Sequence, residues 1–253
     1  MKNVSLPNPL RELHLFAGAG GGILGGLLCG HTCVCAVEIE PYPRKVLLQR
    51  QRDGILPKFP IWDDVKTFSG RPWRGKVDVV CGGFPCTNIS SARSNNHQNG
   101  KIEGISGQHS GLWREQRRII AEVQPAFVLI ENSPALRTRG LSLVLRELAA
   151  MGYDARWGVL GVRQFGADHI RDRIWIVASN ADLPQREGGG LSSRVHQEDT
   201  DSGRTDWWKN QPGMERVAYG MAGRVDRLKA IGNGQVPAVA RLAWNALKPS
   251  VLD

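Results

Sequence analysis

Nowhere does the chain run to the roughly 18 consecutive apolar residues that a membrane span needs. Its first residues, Met1-Lys2-Asn3-Val4-Ser5-Leu6-Pro7, lack the apolar stretch of a secretory signal. Both absences point to a soluble protein of the cytoplasm with no membrane partner. Cysteine is scarce: there are five among 253 residues, an odd number without the spacing of a disulfide framework. Cys29, Cys33 and Cys35 lie close together, but the Cys-x-x-Cys or Cys/His pairs of a zinc site are missing. No metal is expected, and the three read as small apolar packing residues around a helix-to-strand turn. Reduced thiols suit the same compartment. No internal repeat and no heptad is found.

What is present is a chain that is 41% hydrophobic, enough for a sizeable core and too apolar for disorder. Its length suits one large domain, or one core domain carrying a small lobe. The formal net charge of +9 favours a polyanionic partner, since each neutralised phosphate releases counterions.

The first two-thirds alternates short apolar runs with helix-like segments, the pattern of a mostly parallel sheet covered by helices. Strands are expected at Leu13 to Phe16, Thr32 to Val37, Lys76 to Cys81, Ala126 to Ile130 and Arg173 to Ala178. Helices are expected at Gly21 to Cys29, Pro41 to Arg52, Gly111 to Val123, Leu141 to Met151 and Val236 to Leu247. From Asn180 to about Gly213 the chain turns rich in Gly, Arg, Asp, Ser and Gln, the composition of a loop-rich lobe.

Three segments carry chemistry. Phe16-Ala17-Gly18-Ala19-Gly20-Gly21-Gly22 follows the first strand, and Gly20, Gly22 and Gly25 match the G-x-G-x-x-G spacing of dinucleotide sites. Glu38, ending the next strand, is placed to accept hydrogen bonds from ribose hydroxyls. On these residues alone a nicotinamide or flavin site, a tight structural turn and an S-adenosylmethionine site all stand open. Asp78-Val79-Val80-Cys81-Gly82-Gly83-Phe84-Pro85-Cys86 leads from a strand into a loop, which puts the Cys86 thiol where a nucleophile belongs. Cys81, inside the strand, reads as an inert buried thiol. Glu131 ends the apolar run Val128-Leu129-Ile130 in the same way, a position for a carboxylic acid of raised pKa or, more blandly, for a helix-capping or surface charge. Arg171 and Arg173 alternate ahead of another strand and point the same way, toward the cleft or toward a salt bridge with Asp172.

Taken in order, these segments resemble the C5-cytosine-specific DNA methyltransferase family over nearly the whole chain. Pro85-Cys86 is similar to the family's nucleophile motif, Glu131-Asn132 to its Glu-Asn dipeptide, Arg171 and Arg173 to its paired arginines, and Gly232-Asn233-Gly234 to its late Gly-Asn motif. The resemblance implies a Rossmann-like α/β fold for S-adenosylmethionine-dependent methyl transfer, with a mostly parallel sheet and a small loop-rich target-recognition lobe. It implies catalysis by Cys86, Glu131, Arg171 and Arg173. It also implies cofactor contacts from Phe16, Ala17, Gly18, Gly20, Glu38, Ile39, Asp64, Val65, Pro85, Leu112 and Asn233. Residues 1–179 with 228–253 would form the catalytic domain and 180–227 the lobe. The partner would be double-stranded DNA, the protein a monomer, and the setting a bacterial cell or phage-infected host, in restriction-modification or genome protection.

His14, Ile39, Ser133 and His169 depart from the residues usual in the family at those places, and the span from Ser179 to Gly232 leaves little room for a recognition domain. Residues 91–110, with Arg93, Asn95, Asn96, His97, Gln98 and Lys101, are expected to form a loop closing over DNA. Arg194, Arg204, Trp207, Trp208, Lys209 and Arg216 are candidates for groove or phosphate contacts. A zinc deaminase would share Pro-Cys but needs Pro-Cys-x-x-Cys, and residue 89 is Ile89. An RNA methyltransferase and an inactive DNA-binding relic remain as alternatives.

Overall fold

The computed structural model describes residues 9–85, 111–165, 171–181 and 234–249. Seven strands form one sheet: β1 Arg11–Leu15, β2 Thr32–Val37, β3 Ile61–Trp62, β4 Val79–Gly82, β5 Phe127–Asn132, β6 Tyr153–Gly161 and β7 Asp172–Asn180. Their order across the sheet is β3-β2-β1-β4-β5-β7-β6. The first five run parallel, and β7 is antiparallel to both β5 and β6. Strand order reverses between β1 and β4, so the loops leaving those two strands flank a crevice of the kind in which open α/β sheets bind ligands.

The α-helices among the described residues are α1 Gly21–Leu28, α2 Pro41–Arg52, α3 Gly111–Val123, the single turn α4 Leu136–Arg139, α5 Leu141–Ala150 and α6 Pro237–Leu247. Pro sits in the first turn of both α2 and α6, where its missing N–H costs no helical bond. Successive strand residues face opposite layers. Val80, Val128, Ile130 and Ile176 meet Ile119 and Ile120 of α3 and Val144 and Leu148 of α5 in one layer. Cys81, Phe127, Leu129 and Trp175 meet Val239, Ala243 and Trp244 of α6 in the other.

α1 and α6 lie side by side on the second layer because α1 presents glycine. A methyl group at Gly25 would stand 2.6 Å from the Ala240 methyl and 3.1 Å from the Pro237 carbonyl oxygen. Gly25→Val is therefore expected to destabilise the protein by about 1–3 kcal/mol through overpacking. A urea midpoint equal to that of the native protein would disprove such close seating.

The expected helices and strands are present with shifts of a few residues at most, save that the strand foreseen at Lys76 to Cys81 begins at Val79. Two strands and one α-helix were not foreseen, nor were the short 3-10 turns Arg71–Trp73 and Val162–Phe165. β3 is two residues long and α4 one turn, too short for any periodicity. β6 is a nine-residue strand whose edge position leaves alternation weak, with exposed or half-buried residues from Asp154 to Val159. The thiols behave as packing groups: Cys33, Cys35 and Cys81 are buried, and burial raises all three above their usual range. Of the lobe expected over 180–227, all but Asn180 and Ala181 lies outside the described residues.

Candidate functional site

At the end of β1 the backbone turns through positive φ at Phe16, Gly18 and Gly20 (54°, 55° and 89°) before α1 begins. Gly20, the residue ahead of α1, offers no side-chain cap, so the N–H groups of the first helical turn are not taken by one. Buried Glu38 shapes this turn. One carboxylate oxygen accepts the Gly18 N–H at 2.6 Å and the other the Glu40 N–H at 2.8 Å. Each oxygen retains a lone pair, so the carboxylate can still accept hydrogen bonds from hydroxyls. Space beside Gly18 is open, with nothing within 4 Å of where a Cβ would lie.

β2 and β3 are neighbours, with Val37 opposite Trp62, so Glu38 and Ile39 leave the sheet beside Asp63 and Asp64. Ile39 is 60% exposed, an apolar side chain presented to solvent next to an acid. Asp64 accepts the Lys66 N–H at 2.9 Å, and Val65 is buried beneath it, its carbonyl held by Arg118 at 2.9 Å. Phe16 and Leu112 are half-buried against the first core layer. An acid with free lone pairs, an exposed apolar side chain and an open glycine turn fit a ligand carrying vicinal hydroxyls and a flat ring.

Across the crevice, β4 and β5 end side by side, with Gly82 opposite Ile130. Asn132 ties the two loops together. Its amide donates to the Phe84 carbonyl at 3.1 Å, and its own oxygen accepts the Ser133 N–H at 2.8 Å. That bond fixes the chain just before exposed Pro85, the residue that precedes Cys86. Gly83 lets Glu131 approach this loop: a Cβ there would stand 2.7 Å from the Glu131 carboxylate.

Glu131 has 12% of its side chain exposed and pairs with Arg173 at 2.9 Å. Burial raises its pKa, while Arg173, Arg171 and the Gln235 amide oppose the rise. Arg171 is drawn down by burial and by neighbouring Arg173, and its guanidinium donates to the Gly234 carbonyl. Arg173 donates to the neighbouring Asp172 carbonyl oxygen at 2.8 Å and forms its ion pair with Glu131. The two arginines thus face the carboxylate, as alternation predicts.

Cys86, Asn233, His169, the segment 91–110 and the residues singled out from Arg194 to Arg216 lie outside the described residues. Two polar features were missed by sequence reading. Gln235 reaches Glu131, and no motif marked it. The other is a buried cluster beneath α1, in which Glu12 accepts hydrogen bonds from His14 Nε2 and His31 Nδ1, both at 2.7 Å. A charged residue amid the apolar run of β1 was its available signal.

The profile of the C-5 cytosine-specific DNA methylase family matches residues 10–217. A type II methyltransferase, M.CviJI of Paramecium bursaria Chlorella virus IL3A, is 32% identical over 178 residues, which span 70% of this chain and 45% of that protein. The type II methyltransferase M2.BsuMI of Bacillus subtilis is 30% identical over 184 residues, 70% of this chain and 43% of its own length. The chain thus spans less than half the length of these two relatives. Among solved structures, a Spodoptera frugiperda DNMT2 mutant matches with a TM-score of 0.55 at 17% identity, over 74% of this chain and 54% of its own. Schizosaccharomyces pombe Dnmt2 matches with a TM-score of 0.52 at 18% identity, over 70% and 51%. These two likenesses bear on the fold alone. The family profile, which covers most of the sequence, and the strand order agree: the chain belongs to the C-5 cytosine-specific DNA methylase family.

Proposed function

We propose that the protein methylates C5 of cytosine in double-stranded DNA, with S-adenosylmethionine as donor and Cys86 as nucleophile. The observation that carries this reading is the Glu131 carboxyl, 12% exposed, raised in pKa by desolvation and set against the loop that leads toward Cys86. When bound, S-adenosylmethionine supplies an electrophilic methyl group on a sulfonium. Glu38 would hold its ribose hydroxyls, Ile39 and Phe16 the faces of its adenine, and Asp64 and Val65 the ring edge. Ala17, Gly18, Gly20, Leu112, Pro85 and Asn233 would complete the pocket.

The target cytosine must leave the stack, since its ring carbons are out of reach in a duplex. Cys86 then attacks C6 as a thiolate, which is strongly nucleophilic and leaves readily. Glu131, as an acid, donates to N3 and takes up the density that the attack pushes into the ring. C5 becomes nucleophilic. Once C5 is methylated, loss of its proton restores the double bond and expels Cys86. Arg173 keeps the Glu131 carboxyl oriented, and Arg171 ties the same corner to the segment after Asn233.

Residues 1–179 with 228–253 would act as the catalytic domain and 180–227 as the recognition lobe, in a cytoplasmic monomer. Self-protection of a genome, by a restriction-modification system or by a phage, is the role this activity suits. The test is tritium transfer from labelled S-adenosylmethionine to unmethylated duplex DNA. Native protein should label DNA, and Cys86→Ser should reduce the label to background. Label in RNA but not DNA, or undiminished label with Cys86→Ser, would refute the proposal.

A further inference from the structure

Gln235 stands between the two halves of the site. On one side, its amide nitrogen and a Glu131 carboxylate oxygen converge on the same point above Gly83, 3.3 Å and 2.7 Å from where a Cβ would lie there. On the other, its carboxamide carbon lies 3.3 Å from the corresponding point of Gly22, in the first turn of α1, with its amide oxygen closer still. Its backbone carbonyl packs equally tightly on Gly21. Glycine at both helix positions lets Gln235 in, its backbone against Gly21 and its side chain against Gly22.

The NH₂ end of Gln235 faces Glu131 and its oxygen faces the start of α1, the orientation in which the amide can donate to the ionised carboxylate, which only accepts. The backbone on either side is anchored: Arg171 holds the Gly234 carbonyl, and Pro237 opens α6 two residues later. Gln235 therefore sits on a short strap fixed at both ends. It is linked at once to the carboxyl that faces the substrate and to the helix that opens the cofactor turn.

We propose that Gln235 is a positioning residue, whose carboxamide sets the orientation and proton occupancy of Glu131 and couples that carboxyl to the first turn of α1. This rests on the reading of Glu131 as the acid that serves cytosine N3. The amide donates a hydrogen bond to the ionised form, so it favours the carboxylate and limits the rise that burial imposes. Seating of the strap on Gly21 and Gly22 decides whether that donor is in place. A change in the cofactor turn is thereby felt at the acid.

The test uses the full-length protein with ¹³C-labelled glutamate side chains. The carboxyl resonance of Glu131 is identified by its loss in Glu131→Gln and followed against pH in the native protein and in Gln235→Leu. Leu fills similar space without a donor, and its titration midpoint is expected about one pH unit higher, a tenfold change in proton affinity. Gln235→Glu places a second carboxyl beside the first and is expected to raise the midpoint further, through like-charge repulsion. Thermal melting checks that each variant is folded. If Gln235→Leu unfolds, Gln235→Glu alone decides the matter.

An unmoved midpoint in a folded variant would overturn the proposal. The coupling has its own readout: Gly22→Ala, which displaces the carboxamide, should move the same resonance in the same direction. Methyl transfer is assayed separately. A fully active Glu131→Gln protein would refute the catalytic reading of Glu131 but leave the titration result standing. An inactive Glu131→Gln protein with an unmoved midpoint in Gln235→Leu would do the reverse.

Discussion

Glu131→Gln is expected to slow methyl transfer by about 10²–10⁴-fold, the usual worth of a positioned general acid. The substitution keeps the shape of the side chain and its ability to hydrogen-bond cytosine N3, but removes the transferable proton. Its structural cost should be small. The Arg173 partner is 28% exposed, so water replaces much of what the carboxylate gave. Folding and cofactor affinity should therefore survive while the chemical step fails, which a single-turnover measurement with saturating cofactor reads directly. The pH dependence adds a second signature. Burial raises the pKa of Glu131, so the protonated form persists to higher pH than for an ordinary carboxyl. Transfer that requires this proton falls as pH rises through the raised value, and that limb should be missing from the residual activity of Glu131→Gln. A variant rate within a few-fold of native would refute the acid role.

The fold was legible where the chain repeats simple periods. β2, α2 and α3 have the expected limits because Cys33 to Val37 is a continuous apolar run, Pro41 starts a helix, and Trp113, Gln116, Ile119, Ile120 and Val123 recur on one face. β6 was not legible. It is an edge strand, half-covered from Asp154 to Val159, and its period is blurred by what solvent permits there. The site divides in the same way. Glu38, Glu131, Arg171 and Arg173 are each displayed at a strand end, where local sequence and chain order jointly announce them. Gln235 and the Glu12 cluster depend on contacts between residues far apart in sequence, made possible by glycines whose value is the space they leave. Nothing in the spacing of Gly21, Gly22 and Gly26 says what fills that space. Sequence alone leaves the glycine-rich turn open as a ligand loop or a tight structural turn. In the structure its helix also takes Gln235 and Glu12 against its glycine face.

The Glu12 cluster carries the largest stability effect expected of a single side chain here. Glu12 is 2% exposed within β1, and both of its oxygens are occupied, by His14 and His31. His31 is fixed from above by Trp244 of α6, edge-on at 5.0 Å, and Gly26 of α1 lies directly against the carboxylate, where a Cβ would overlap it. One carboxylate thus links β1, α1, the turn after α1 and α6. Glu12→Ala would strand two imidazoles in a dry interior and open a cavity beneath α1. Removing one member of a buried charged network costs about 3–5 kcal/mol, against at most about 1 kcal/mol for an exposed pair. Unfolding in urea should show that loss, and a deficit below about 1 kcal/mol would mean that the cluster is not a unit. Burial alone would push the Glu12 carboxyl up, but His14 and His31 outweigh it and hold the group at about 2, below its ordinary 4.5. A carboxyl with a depressed folded-state pKa contributes stability that is complete above the unfolded value and lost as pH falls through the folded one. Stability of the native protein should therefore decline between pH 4.5 and pH 2 more steeply than that of Glu12→Gln. Replacing all three residues with apolar side chains of matched volume should recover much of the loss, since a filled apolar core often equals a buried ionic network in stability. That variant separates the role of the cluster in stability from any influence on the turn above it. Native-like stability combined with weakened cofactor binding would assign Glu12 and its histidines to the placement of α1, and unchanged binding would confine them to the core.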